Sequence, residues 1–88
     1  MNTASQKLAI TLFLNFAFAQ IDGFVYDSIT NKPIQNVNIS VGSVGTTSDK
    51  TGQFSLDMPL GTVVEFSHIG YETVKIEGGG GMSVSMQE

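Results

Sequence analysis

The sequence predicts an all-β fold: seven short strands in a two-sheet sandwich, preceded by a signal-peptide helix. Three observations predict it. After Gln20, apolar and polar residues alternate with a period of two almost throughout, as strands with one buried face do. Turn-forming clusters (SITNKP, DKTG, PLG, GGGG) interrupt the alternation at short intervals, the spacing of a sandwich rather than of helix-linked units. No stretch after Gln20 carries a helical period, so each sheet must bury its apolar face against another sheet.

The chain of 88 residues opens with MNTASQKLAITLFLNFAFAQ. Lys7 is the only charge in that stretch, an apolar run interrupted by Thr11 and Asn15 follows, and Ala17-Phe18-Ala19 supplies a small-x-small exit. A charged start, a short apolar run and a small-residue exit make a secretory signal, with cleavage expected before Gln20. The run is shorter than the roughly 20 residues that span a bilayer as a helix. The sequence has no Cys, so this is not a lipoprotein signal. The expected organisation is a signal peptide at 1–19 and one domain at 20–88, with no transmembrane segment in the mature chain.

The elements follow in order. Residues 21–27 (IDGFVYD) are rich in aromatic and β-branched side chains, and SITNKP after them is a turn. Residues 36–41 (NVNISV) put Val37, Ile39 and Val41 on one face. Residues 44–49 form a short polar strand suited to a sheet edge. Residues 53–58 bring Phe54, Leu56 and Met58 to one side. Residues 62–68 align Val64 with Phe66, and residues 71–77 align Val74 with Ile76. Residues 82–86 alternate again after GGGG, which reads as a flexible loop. The predicted core is Val25, Val37, Ile39, Val41, Phe54, Leu56, Val64, Phe66, Val74, Ile76 and Val84. A domain this small buries only about 60% of its unfolded surface, and no disulfide can reinforce it. It is therefore suited to gaining stability from a neighbour.

Charge narrows the function. The formal net charge is −4, and cleavage before Gln20 would remove Lys7 and make it more negative. There is no Arg at all. Nucleic acids and anionic membranes call for a basic footprint, so neither is an expected partner.

DKTG, at Asp49 to Gly52, also opens the phosphorylation motif of P-type ion pumps. A phosphoryl-accepting Asp needs groups that hold Mg²⁺ and nucleotide phosphates, and the sequence offers no P-loop and no Arg for them. A turn accounts for the letters: Asp49 accepts backbone hydrogen bonds, Lys50 and Thr51 sit at the centre, and Gly52 takes a positive φ. This predicts a hairpin tip followed by the core residue Phe54. A calcium loop would need ligands at alternate positions, and only Asp49 fits. His68, the single His, points to the opposite face from Ser67 and has no ligand-spaced partner for zinc. GGGG lacks the strand–loop–helix setting of a phosphate site. Asn38-Ile39-Ser40 is a formal glycosylation sequon, but it lies inside a predicted strand. No residue set looks catalytic, and no metal or cofactor is expected.

Several of these stretches together resemble one family. Gly23, Val25 and Asp27 match a G-x-V-x-D start; KPIQNVNISV, GTTSDKTGQFSLDMPLG and VEFSHIGYETVKI match the blocks that follow. The chain from Gln20 onward is thus similar to the carboxypeptidase-regulatory-like family, a transthyretin-like (prealbumin-like) Greek-key β-sandwich. Asp49, Gly52, Phe54, Phe66, Gly70 and Tyr71 fall on its motif. The resemblance implies structural roles: Gly52 turns a hairpin, Phe54 fills the core, and Gly70 lets the chain bend before Tyr71.

This variant of the family resembles the domain at the N-terminus of TonB-dependent outer-membrane transporters of Bacteroidetes-type bacteria, which follows a signal peptide and precedes a plug and barrel. The resemblance therefore implies an exported, non-catalytic accessory domain, periplasmic and associated with the outer membrane. Its partner would be the transporter or its periplasmic machinery. No barrel-length strands follow, so transport by these residues alone is excluded; the chain is either a fragment of a transporter or a free-standing secreted domain. As a free-standing module it would bind carbohydrate or protein. Phe24 and Tyr26, opposite Val25, would then either form a small exposed platform or pack beneath the other sheet or a loop. The wider family also accompanies metallocarboxypeptidases, following the catalytic domain; a signal directly ahead of the domain leaves no place for one upstream. An exposed edge such as residues 44–49 suits strand addition by a partner.

Overall fold

In the computed structural model, which describes residues 20–59 and 61–88, the alternating stretches form seven strands. The signal segment expected at 1–19 lies outside the described residues. The strands are β1 (Ile21–Asp27), β2 (Asn38–Val41), β3 (Val44–Thr47), β4 (Gln53–Leu56), β5 (Val63–His68), β6 (Tyr71–Glu77) and β7 (Met82–Met86). They pair into a three-stranded sheet, β4-β1-β7, and a four-stranded sheet, β3-β2-β5-β6. All pairs are antiparallel except β1 with β7, which runs parallel with Val25 opposite Val84. The fold is all-β, as the period-two pattern predicts.

The inner faces meet in one apolar core. Ile21, Val25, Phe54, Leu56, Val84 and Met86 come from the three-stranded sheet; Ile39, Val64 and Phe66 come from the other, with Ile34 and Val37 from the segment before β2. Phe54 and Phe66 meet edge to face across the sheets, with centroids 5.4 Å apart and planes at 73°, a geometry that adds to plain area burial.

Three predicted core residues, Val41, Val74 and Ile76, are only partly buried against this cluster. The last two belong to β6, an edge strand with one neighbour, and Val41 ends β2. Three core residues were not predicted. Ile21 and Met86 are in phase with Val25 and Val84 at the ends of their strands. Ile34 sits in the turn region, where its N–H donates to the Val25 carbonyl at 3.1 Å.

The Asp49–Gly52 turn is not a hairpin tip. β3 pairs with β2 and β4 pairs with β1, so the turn carries the chain from one sheet to the other. Ser48 prepares the crossing. It is buried, its Oγ accepts the Val37 N–H at 2.9 Å, and its hydroxyl donates to the Ile34 carbonyl at 2.7 Å. Just past β3, Ser48 is thereby tied to the segment that leads into β2, and the chain then turns toward the other sheet.

Candidate functional site

Two constellations collect the residues singled out by sequence. The first lies at the end of β1, where side chains reach across to the start of β6. Asp27 closes β1, on its inward phase, and is buried. Its Oδ1 accepts the N–H groups of Ile29 at 2.8 Å and Thr30 at 2.9 Å, which caps the turn after β1. Its Oδ2 accepts the Tyr71 hydroxyl at 2.7 Å, joining the two sheets. The Thr30 amide first, then the Tyr71 hydroxyl and the Ile29 amide, hold the Asp27 carboxyl below its ordinary value of 3.8, because each donor favours the charged form. The same bond, with some desolvation, pushes the Tyr71 hydroxyl up to about 12. His68 stacks edge to face on Tyr71 with centroids 5.4 Å apart, and its Nδ1 accepts the Gly70 N–H at 3.1 Å. Gly70 thus lies in the β5–β6 turn, with a φ outside the left-handed region. Sequence reasoning gave Tyr71 a place among the motif residues and met Asp27 only as the last letter of the G-x-V-x-D match, without a role. The available signal was an Asp in phase with Val25 on a buried strand face.

The second constellation surrounds the turn between β3 and β4. Asp49 Oδ1 accepts the Thr51 N–H at 2.9 Å, the Thr51 hydroxyl at 2.8 Å and the Gln53 N–H at 3.0 Å. Led by the Thr51 hydroxyl, these bonds hold the Asp49 carboxyl below its ordinary value. Gly52 closes the turn with φ 79, and its N–H donates to the Asp49 carbonyl at 2.9 Å. A Cβ at Gly52 would run into the Val25 carbonyl oxygen, so only glycine fits there. Beside the turn lies an open cleft of about 520 Å³, bordered by Asp22, Phe24, Thr46, Thr47, Gln53 and Ser55 among others. Phe24 is 48% exposed beside it, whereas Tyr26 is half-buried and bridges to Pro33 outside the cleft. Phe24 borders the cleft, and Tyr26 follows it two residues on along the same face of β1 without bordering it.

The carboxylates of Asp27 and Asp49 each accept several internal hydrogen bonds, and the Tyr71 hydroxyl is held as a donor. Among the described residues, no group of three His, Cys, Asp or Glu side chains is placed to hold a metal ion. No helix among them is long and apolar enough to cross a membrane.

The signature of the CarboxypepD_reg-like domain matches residues 21–87, from the first residue of β1 to just past β7. The chain belongs to the CarboxypepD_reg-like domain family. The match covers every strand of both sheets, so the family's pattern and this sandwich coincide. Members of this family are regulatory-like β-sandwich domains, not catalytic by themselves. No curated protein matches the chain. Asp27 and Tyr71 give the CarboxypepD_reg-like domain a side-chain bond between its sheets, and Asp49 and Gly52 give it the crossing between them.

Proposed function

We propose that this CarboxypepD_reg-like domain is a non-catalytic accessory module of a TonB-dependent outer-membrane nutrient transporter, working through protein contacts in the periplasm. The observation that carries this reading is the family match over residues 21–87, joined to the way Asp27, Asp49 and Tyr71 are occupied inside the fold. Groups engaged in this way hold a scaffold, and a scaffold acts through its surface. The signal-like sequence at 1–19 supports export, and the acidic balance suits a solvated envelope protein.

Cell fractionation with mass analysis tests this reading. Production from the full sequence in a diderm bacterium is expected to yield a chain beginning at Gln20 and sedimenting with the outer membrane when the transporter is present. A chain that keeps Met1 and stays in the cytoplasm would contradict it.

One observation favours a second reading, a free-standing secreted module that binds carbohydrate or protein. Phe24 is half exposed beside a cleft bordered by Asp22, Gln53 and Ser55, an aromatic face with polar groups around it. Calorimetry with soluble glycans checks it: heat released by the wild type should vanish in Phe24→Ala, and no heat from either protein would remove this reading.

A further inference from the structure

The geometry points to the free side of β3 as a docking edge for an extended, uncharged or basic segment of a partner polypeptide, which adds as a fifth strand to the four-stranded sheet and lies in the cleft beside Phe24. This deepens the accessory reading and rests on it. β3 has a single neighbour, β2. Ser48 donates its N–H to the Val37 carbonyl at 3.1 Å and accepts the Asn36 N–H at 2.9 Å, so both of its backbone groups point toward β2. Alternation along an antiparallel pair points those of Thr46 and Val44 the same way and turns those of Gly45 and Thr47 outward. Two residues thus offer N–H and C=O groups along a side where no strand of the described chain lies.

That side lacks the features that usually guard a sheet edge. From Val41 to Ser48 there is no charge and no proline. The other edges differ. β6 carries Glu72, Lys75 and Glu77, and β4 runs into Asp57 and Pro59. β7 is uncharged, but the carbonyl of Gln87 just beyond it takes the Glu72 N–H at 2.7 Å, which ties that side to β6.

The cleft lies where an added strand would go. Thr46 and Thr47 of β3 border it, as do Gln53 and Ser55 of β4. A strand placed about 4.8 Å from β3 would enter this space and could set an apolar side chain against the Phe24 ring. Asp22 and Asp49 also border the cleft, and their field disfavours an acidic segment and favours a lysine or arginine flank. Backbone pairing would supply affinity, and the Phe24 contact would supply selectivity.

The test is an amide-shift titration of isotope-labelled protein produced from the full sequence. The probe is a blocked heptapeptide of alternating valine and threonine with lysine at each end. Its control is the same peptide N-methylated at every second residue. The expected result is saturable movement of the Gly45 and Thr47 amides with the first peptide and none with the second. Thr47→Pro removes an outward donor that β2 does not use, and should weaken binding by about ten-fold or more. The methylated control keeps the test decisive if that variant does not fold. No movement at Gly45 and Thr47, or equal movement with the methylated peptide, would overturn the proposal. So would movement that depends on protein concentration without peptide, which would make a second copy the occupant. Movement at Phe24 and Gln53 with a soluble oligosaccharide, while the peptide is silent, would overturn it in favour of a saccharide site. Fractionation decides the accessory reading separately, so a silent edge leaves that reading standing.

Discussion

Asp27 and Tyr71 are 44 positions apart in sequence and 2.7 Å apart in space. Their titration makes the bond visible in stability. Asp27 is depressed below 3.8, so its contribution is fully present above about pH 4 and is lost as pH falls through the folded value. Asp49 acts in the same direction. Tyr71 is raised from 10.0 to about 12, so its contribution is present below pH 10 and is lost as pH rises through 12. Thermal melting should therefore show a plateau at neutral pH with one acid and one alkaline decline. Tyr71→Phe should lower the plateau by several degrees and remove the alkaline decline that Tyr71 causes. An unchanged alkaline limb would show that the bond does not form. Ser48→Ala should cost about 1–3 kcal/mol for each buried backbone group it orphans, the Val37 N–H and the Ile34 carbonyl, as read by denaturant unfolding. Gly52→Val should cost more than about 1–3 kcal/mol, because backbone strain at φ 79 adds to the collision with the Val25 carbonyl.

At the scale of elements, β1 depends on close approach by β7. A Cβ on Gly23 would strike the Met82 carbonyl, and Gly23 pairs with Met82 in the parallel ladder. Gly23→Val should therefore disrupt β1–β7 pairing, read as faster hydrogen exchange at the β7 amides, while β2–β5 exchange stays slower.

The alternation of Ile39, Phe54, Leu56, Val64 and Phe66 was legible because side-chain period alone assigns a face. Period does not say which strand is the neighbour. That is why the sheet crossing after Ser48 read as a hairpin, and why the parallel β1–β7 pair left no trace in the pattern. Edge position is equally invisible to period, so Val74 and Ile76 read as fully buried. The candidate site was legible in part for the same reason. Asp49 and Gly52 are local, and their turn is written in consecutive letters. Asp27 acquires its role only when β6 arrives beside it, and the cleft at Phe24 exists only once β3 and β4 part into different sheets.

For the whole molecule, one small core and no disulfide leave little stability in reserve. Phe66→Ala would remove a ring with no exposure that packs on Phe54 across the sheets. Such a truncation costs about 3–5 kcal/mol, enough to unfold much of a domain this small, and circular dichroism at 25 °C should show loss of the strand signal. Marginal stability also gives a partner influence, since binding to the native state alone stabilises it by mass action. An accessory module of this kind should melt later in complex than free. On the proposed reading, the module works through a protein contact at the β3 edge. The most direct measurement is photo-crosslinking in the envelope from a probe at Thr47, with the same probe at Ser67, on the outward face of β5, as control. A strand docked on β3 should give an adduct from Thr47 to an extended segment of an outer-membrane transporter, with little from Ser67. Equal adducts from both positions, or none from Thr47, would contradict it.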